Sequence, residues 1–263
     1  MESIGEVIVV VAPRAATDAA DRGILSTTAA WALGLDPASV RVARRCPHCG
    51  STDHGVPYLE AIDTATPAVR ASPATAAPHP PALSRVHPPV YPPVLPAVNL
   101  SLSRAGGYVA VAVSFAGPVG VDIESVDAVN RAPLADVALS PRERATGAAG
   151  LAADLAGLWC AKEAILKSTG DGLRVDPRDL TLAERREPGF GPALDSWPGA
   201  GVPLDDILLA SFDPGTGPGT GLGLVGRVAV LTNTAAATRT GTRTAPRPTL
   251  RLVGPQSLGR AVR

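Results

Sequence analysis

The chain has few cysteines, few aromatic residues and no excess charge, and each shortage excludes a class of protein. Three cysteines are too few, and odd in number, for a disulfide framework like those of small secreted domains. Aromatic residues make up only 3% of the chain, so Ala, Val and Leu must build the core. The formal net charge is zero, which argues against a general nucleic-acid binder. We therefore expect no nucleic-acid partner.

Long apolar runs are also missing. No stretch reaches the length needed to cross a bilayer, so we expect no membrane partner. Residues 1–11 carry acidic side chains before a short apolar run and lack the positively charged start of a signal peptide. We therefore expect a cytoplasmic protein. The 263 residues are enough for one large domain or two modest halves.

Local patterns predict several regular elements. Glu6–Ala12 is dense in Val and Ile and predicts a strand, and the apolar spacing over Ala15–Leu35 predicts a helix that stops at Gly34. Tyr108–Val113 and Val119–Ile123 predict two strands, which we expect to pair as a hairpin. A further strand is predicted late in the chain, over residues 225–231.

Two segments are predicted to lie outside the folded core. Residues 66–98 contain ten of the 27 prolines, a density that no central strand or helix tolerates. This stretch is predicted to be a disordered or polyproline II insertion. Residues 232–263 are rich in Thr, Pro and Arg and contain no acid, which predicts a flexible tail.

The chain has only two lysines, Lys162 and Lys167, and both lie in its strongest helical pattern, Leu151–Thr169; the other 22 of the 24 Lys and Arg residues are Arg. A lysine ammonium meets a phosphate as a compact point charge. Helical spacing places Lys162 within an apolar stripe, where a lysine is costly unless it snorkels or meets an anion. Glu163 and Lys167 lie one turn apart, which also fits an ordinary surface ion pair.

A cluster of acids precedes this helix, in Gly120-Val121-Asp122-Ile123-Glu124. Side chains alternate along a strand, so Asp122 and Glu124 point to the same side. Such a pair suits a hard divalent ion such as Mg²⁺, although two ordinary acids on an exposed strand face are an alternative. With Glu163, the chain offers three carboxylates for a metal and two ammoniums for phosphates. Phosphoryl-type transfer uses this combination.

Together the two clusters resemble the 4′-phosphopantetheinyl transferases, which move phosphopantetheine from coenzyme A to a serine of a carrier protein. The resemblance rests on the acidic cluster, on Lys162-Glu163-Ala164 located 38 residues after Glu124 (162 minus 124), and on the flanking Leu158-Trp159 and Gly170-Asp171-Gly172-Leu173. It extends more weakly over Arg44–Leu59 and Asn99–Leu231. It implies a Mg²⁺-dependent enzyme of the holo-[acyl-carrier-protein] synthase type.

The length is similar to that of the larger, monomeric type of this family. The resemblance therefore implies an α+β fold, with two similar α+β halves that form a pseudo-dimer and hold the active site between them. The first half is expected at residues 1–114, with a coenzyme A segment at 44–59, and the second half at 115–231. The expected partners are coenzyme A and an acyl carrier protein or peptidyl carrier domain.

The resemblance also implies roles in the second half. Asp122, Glu124 and Glu163 match the family's magnesium ligands. Lys162 and Lys167 match its phosphate-contacting lysines, and we expect Glu163 and Lys167 to take part in catalysis.

Two further positions follow from the resemblance. Ser103 and Arg104 stand where the family often has Ser-His, and an Arg can bind the coenzyme A pyrophosphate through its bidentate fork. Glu143 matches a glutamate proposed as the base that takes the serine proton. As the third residue after Ser140, it fits a helix capping box equally well.

The coenzyme A segment contains Arg45-Cys46-Pro47-His48-Cys49-Gly50 and His54-Gly55-Val56-Pro57-Tyr58. The family usually has Lys or Arg where this chain has Val56, so Arg44, Arg45 or His54 is expected to contact the 3′-phosphate. Cys46 and Cys49, with His48 or His54 as a third ligand, also suggest zinc. A lone CxxC is a weak signal, however, and a structural turn is favoured.

A rival interpretation is a catalytically weakened relative that binds coenzyme A or a carrier protein without transfer. Val56, Ala105 and the long insertion favour this binding module, whereas the complete sets of acids and lysines oppose it.

Overall fold

The computed structural model describes residues 5–62, 97–147, 152–183, 192–215, 223–232 and 248–258. Almost all of the predicted insertion at 66–98 lies outside these residues. None of the helices in the described part of the chain combines the length and hydropathy that crossing a membrane requires.

Runs of strands separated by helices follow one another along the chain in an α+β arrangement. The strands are β1 (Glu6–Pro13), β2 (Val40–Arg45), β3 (Val56–Ile62), β4 (Asn99–Ala105), β5 (Tyr108–Ser114), β6 (Val119–Ser125), β7 (Thr181–Ala183), β8 (Ala193–Ser196), β9 (Ile207–Phe212), β10 (Leu224–Leu231) and β11 (Thr249–Val253). The α-helices are α1 (Asp18–Leu33), α2 (Val126–Arg131), α3 (Ala135–Ala138), α4 (Pro141–Ala145), α5 (Ala152–Thr169) and α6 (Pro255–Leu258).

The strongest local patterns correspond to observed elements. The predicted first strand, both long helices and the late strand are confirmed as β1, α1, α5 and β10. Helix α1 begins after Thr17, whose side chain accepts a hydrogen bond from the Ala20 N–H, and ends at Gly34 with a φ of 68°. Glycine adopts this left-handed conformation at little cost, which explains the predicted stop.

Two sheets form the centre of the molecule and repeat one topology. The first sheet has the order β11-β1-β5-β4 and the second has the order β6-β10-β9. In the first half, β1 pairs with β5, and β5 pairs with β4. In the second half, β6 pairs with β10, and β10 pairs with β9 in the same way. Strand β11 lies outside this repeat. Each half also places a long helix and a small two-stranded sheet between these strands. The repeat agrees with the expectation of two similar α+β halves.

The sheets and the long helices pack in four layers. On β1, Ile8 and Val10 contact α1, whereas Val7 and Val9 contact the second sheet. The second sheet packs with its other face on α5. Both sheets are therefore buried on two faces, which accounts for their continuous runs of Val and Ala.

The predicted hairpin of β5 and β6 is wrong. Strand β5 pairs with β1 and β4, and β6 pairs with β10 in the other sheet. The short link between β5 and β6 passes from one sheet to the next. Because both strands are buried on both faces, their sequences carry no alternation that could reveal the pairing partner.

The prediction of a flexible tail over 232–263 is wrong for its later part. Strand β11 pairs in parallel with β1, and Val253 and Leu258 are buried in the cluster beneath α1. The tail therefore adds an edge to the sheet of the first half. Two buried apolar side chains anchor the tail. The sequence did not reveal them, because they occur in a segment rich in Thr and Arg. Residues 233–247 lie outside the described part of the chain.

Changing Leu258 to Ala is expected to lower the free energy of unfolding by about 2 kcal/mol, because the leucine is 8% exposed and its loss leaves a cavity. Leu252 on β11 is 51% exposed and provides the matched control, with an expected change within about 0.5 kcal/mol for Leu252→Ala. Denaturant unfolding of both variants measures the difference. Equal stability of the two variants would show that the tail does not dock.

Candidate active site

The site is built where β6 packs against α5. Val121 and Ile123 face the first sheet, so Gly120, Asp122 and Glu124 lie on the opposite face, toward the helix. A Cβ atom on Gly120 would lie 1.9 Å from the Ala164 carbonyl oxygen. Only glycine therefore permits the helix to come this close to the strand. The close approach brings the acids of β6 among the side chains of α5.

Asp122 lies at the centre of the site and is 2% exposed, so the alternative of an ordinary exposed acid is wrong. Its Oδ1 accepts hydrogen bonds from Lys167 Nζ and from Ser103 Oγ, each at 2.6 Å. Its buried Oδ2 has no partner among the described residues. A buried carboxylate oxygen without a partner is costly. A bound cation would satisfy it.

Glu124 and Glu163 complete a group of three carboxylates. Trp159 Nε1 donates to Glu124 Oε1 at 3.0 Å. Burial, and then the charge of Asp122, raise the pKa of Glu124 to about 7. Burial also raises the pKa of Glu163 above its ordinary value. Three hard oxygen donors with too little positive charge around them suit a divalent ion such as Mg²⁺.

Lys167 connects the acids to a neighbouring cavity. Its Nζ lies 2.6 Å from Asp122 Oδ1 and its side chain lines the cavity. Burial by itself would lower the pKa of Lys167, but the Asp122 carboxylate outweighs this effect and the pKa is raised. The ammonium is therefore charged at neutral pH. The alternative of a simple surface ion pair with Glu163 is wrong, because the closest carboxylate is Asp122 in the strand.

The cavity has a volume of about 420 Å³ and is lined by both halves of the chain. Its strongly basic lining residues are Arg22, Arg44, Arg104, Lys167 and Arg174. Asp171 is the one acid among the described residues that line it. A concave site with such an excess of positive charge attracts anions, and several separated cations suit a ligand with more than one phosphate.

Arg104 is held in the cavity wall by helix α1. Its Nε donates to Asp21 Oδ2 at 2.7 Å, and the buried Asp21 also accepts from Arg14 Nε at 3.1 Å. Burial would raise the pKa of Asp21, but the hydrogen bonds from Arg104, the Ala15 N–H and Arg14 outweigh it and lower the pKa. The ionised carboxylate fixes the orientation of the Arg104 guanidinium. A preoriented cation loses little freedom when it binds an anion.

The remaining predicted contacts of the first half divide into two groups. Arg44 and His54 line the cavity, as does Val56. Arg45 is exposed and is not among the described residues that line the cavity, because neighbouring side chains of β2 point to opposite sides. Ser103 donates to Asp122 and orients that carboxylate. The expected contacts of Arg45 and Ser103 to coenzyme A therefore stay predictions, because neither residue is among the described residues that line the cavity.

Lys162 and Glu143 form a buried ion pair away from the cavity. Lys162 is 0% exposed, and its Nζ donates to Glu143 Oε2 and to the Ala138 carbonyl oxygen, each at 2.6 Å. Glu143 also accepts from the N–H groups of Ser140 at 2.7 Å and of Leu182 at 2.8 Å. The capping box at the start of α4 is thereby confirmed.

This pair corrects two predictions. Lys162 does not reach a phosphate, because its ammonium is enclosed by Glu143 and a backbone carbonyl. Glu143 is not placed to act as the base, because both of its oxygens accept buried hydrogen bonds. Lys162, in the apolar stripe, is paired with an anion, as its position required. That anion is the Glu143 carboxylate of the protein itself. Burial lowers the pKa of Lys162.

Sequence reasoning missed two basic residues of the cavity. Arg22 lies on α1, and its neighbours carry no motif that marks it. Arg174 follows the glycine-rich turn after α5, which was noted as part of the resemblance but was assigned no contact. Both reach the cavity through the packing of distant elements.

Residues 118–196 match the family model described as the 4′-phosphopantetheinyl transferase superfamily. A comparison with curated proteins finds no match. Among solved structures, the chain is similar to the holo-[acyl-carrier-protein] synthase of Neisseria meningitidis, with 21% identity, coverage of 44% of this chain and 98% of that chain, and a TM-score of 0.35. The holo-ACP-synthase of Plasmodium yoelii matches with 21% identity, coverage of 43% and 91%, and a TM-score of 0.32. The segment matched by the family model contains all three carboxylates and both lysines described above.

Proposed function

We propose that this protein transfers 4′-phosphopantetheine from coenzyme A to a serine of an acyl or peptidyl carrier protein and releases 3′,5′-ADP. The observation that carries the proposal is the position of Lys167, which joins a basic cavity to three carboxylates. A phosphate-rich substrate needs the cations, and a divalent ion needs the acids. Phosphoryl-type transfer depends on this neutralisation of charge.

Coenzyme A carries a pyrophosphate and a 3′-phosphate, and the cavity offers cations for both. Lys167 and Arg104 are assigned to the pyrophosphate. Arg44, from the coenzyme A segment, is assigned to the 3′-phosphate, together with Arg174. Both line the cavity and replace the basic residue that the family usually has at the position of Val56.

Asp122, Glu124 and Glu163 would hold Mg²⁺. The chemistry of the donors suits the ion, because all three residues offer hard oxygen atoms and Asp122 Oδ2 is buried without a partner among the described residues. When bound, the ion would neutralise charge on the pyrophosphate.

In the proposed transfer, the carrier serine oxygen bonds to the phosphorus that bears pantetheine. The bond from that phosphorus to the leaving oxygen of 3′,5′-ADP breaks. Lys167 stabilises the negative charge on the phosphate oxygens, and Ser103 keeps Asp122 oriented. With Glu143 enclosed in its ion pair, Glu163 is our candidate for a catalytic carboxylate that takes the serine proton.

Both halves contribute to the cavity within one chain, Arg44 from the first and Lys167 from the second. We therefore propose a monomer whose halves, 1–114 and 115–231, form a pseudo-dimer around the site. Light scattering of the purified protein tests this arrangement.

Incubation with an apo acyl carrier protein, coenzyme A and Mg²⁺, followed by intact-mass measurement of the carrier, tests the activity. We expect the carrier to gain one phosphopantetheine group. A carrier whose acceptor serine is changed to alanine should gain nothing. Calorimetric binding of coenzyme A without any gain in carrier mass would favour the rival interpretation, a binding module. Absence of both binding and transfer would reject both functions.

Changing Lys167 to Arg is expected to lower kcat by roughly tenfold or more, which corresponds to about 1.4 kcal/mol on the barrier. The wider planar guanidinium cannot take the ammonium's place against Asp122 and a phosphate. Steady-state kinetics measures the effect. The exposed Arg41 on β2 supplies a conservative control, since Arg41→Lys should leave turnover unchanged. Wild-type turnover in both Lys167→Arg and Lys167→Ala would show that Lys167 has no role in transfer.

A further inference from the structure

The loop between β2 and β3 brings two cysteines and a histidine together. Sγ of Cys46, Sγ of Cys49 and a ring nitrogen of His54 all lie within 4.8 Å of one another. The distance from Cys49 Sγ to His54 Nε2 is 3.4 Å. A tetrahedral zinc ion, with Zn–S near 2.3 Å and Zn–N near 2.0–2.1 Å, separates its sulfur and nitrogen ligands by about 3.5 Å. The observed spacing is that of a hydrogen bond between the thiol and the imidazole, and it also suits two ligands sharing one ion.

The backbone holds this arrangement without the ion. Cys46 N–H donates to the Ser51 carbonyl at 2.8 Å, and Gly50 N–H donates to the Cys46 carbonyl at 3.0 Å. A Cβ atom on Gly55 would lie 2.4 Å from Cys46 Cα, so glycine lets the chain after His54 pass directly against the first cysteine. The loop thus closes His54 onto the two thiols through a tight backbone path.

The surroundings of Cys46 also favour the form that binds metal. Backbone N–H groups of Cys49 and then His48 are directed at its sulfur. Thiolate, and not thiol, is the metal ligand. Backbone N–H groups directed at a sulfur therefore prepare it for a cation.

We propose that Cys46, Cys49 and His54 bind one Zn²⁺ ion, separate from the three carboxylates of β6 and α5. Thiolate and imidazole ligands select zinc over magnesium, whereas carboxylates prefer magnesium. Cys49 and His54 are exposed, so a water molecule can take the fourth position of the tetrahedron. The third cysteine, Cys160, lies in α5, donates to the Asp122 carbonyl at 3.1 Å and has no part in this site.

The proposed ion has a structural role. The same loop forms one wall of the cavity, and His48 Nε2 lies 3.0 Å from the Gly170 carbonyl at the end of α5. An ion held by residues on both sides of the loop would keep that wall rigid. The zinc site itself does not depend on the proposed transferase activity, because it rests on the loop alone.

Metal analysis of the full-length protein, purified without a histidine tag, tests the proposal. We expect about one zinc per chain after gel filtration under reducing conditions, and Cys46→Ser, Cys49→Ser and His54→Ala should each lower this to roughly a tenth or less. His54→Cys should retain zinc, because it replaces one good ligand by another. Circular dichroism of each variant shows whether it is folded.

Two controls separate this site from others. His48→Ala alters the same loop but leaves the three ligands, and Cys160→Ser alters the cysteine of α5, so both should retain zinc. Cobalt substitution of the wild-type protein should produce a thiolate-to-metal absorption band that His48→Ala keeps and Cys49→Ser loses.

Three results would overturn the proposal. The first is wild-type protein that holds no stoichiometric zinc even after incubation with the metal. The second is zinc retained in the folded Cys46→Ser and Cys49→Ser variants. The third is thiol labelling that finds Cys46 and Cys49 joined as a disulfide in the protein as purified under reducing conditions.

Discussion

Changing Asp122 to Asn is expected to lower kcat by roughly 100-fold or more, with the protein still folded. Loss of a group that only supports a metal ligand typically costs about 10–100-fold, so loss of a ligand should cost at least as much. Asparagine keeps the shape and the hydrogen bond from Ser103. It removes the negative charge that Lys167 and the proposed Mg²⁺ require. The gain in carrier mass over time measures the effect.

Asp136 provides the matched control for this variant. It is an exposed acid that pairs with Arg144 at the surface, so Asp136→Asn should leave kcat unchanged. Asparagine is preferred to alanine at position 122, because this acid is buried and its complete removal would leave a cavity and an unpaired lysine. Normal turnover in Asp122→Asn, or in wild-type protein treated with a chelator, would reject the assignment of this acid to the metal.

Changing Glu143 to Ala is expected to lower the free energy of unfolding by about 3–5 kcal/mol, because it leaves the buried Lys162 ammonium without its counter-charge. The same change removes the capping box at the start of α4. A catalytic base at this position would behave in the opposite way, with a loss of kcat and little change in stability. Denaturant unfolding together with kcat per folded molecule distinguishes the two roles.

The double variant Lys162→Met with Glu143→Leu isolates the ion pair. Replacing both charges with apolar side chains of similar size should recover part of the lost stability, because no unpaired charge remains buried. Recovery is incomplete because the N–H groups of Ser140 and Leu182 lose the Glu143 acceptor. Glu60→Ala on β3 is the control, since this acid is exposed and its loss should change stability by no more than about 0.5 kcal/mol. A stable Glu143→Ala protein that has lost transfer would restore the base interpretation.

The proposed zinc site shows how spacing and geometry contribute different information. Cys46 and Cys49 alone are a weak signal, since two thiols close in sequence also occur in ordinary turns. His54 is five residues further on, and only the path through Gly55 brings its ring against the thiols. The third ligand was one of two candidates in the sequence, and the structure selects His54 because His48 is directed at Gly170.

The sequence by itself determined the elements and the chemistry that depend on neighbouring residues. Helices α1 and α5 and strands β1 and β10 follow from local periodicity and caps, and these patterns act over a few residues. The same holds for the acids of β6 and for Glu163 and Lys167, because a strand and a helix impose fixed spacings on their side chains.

Tertiary structure decided the partners of those residues. Lys162 and Lys167 lie five positions apart on one helix, yet one is enclosed with Glu143 and the other reaches Asp122 and the cavity. The partner that each lysine meets depends on how α5 packs against the second sheet, which local spacing does not specify. Packing likewise decided the pairing of β5 and β6 and the docking of β11, because burial on both faces removes the alternation from which a pairing partner could be inferred.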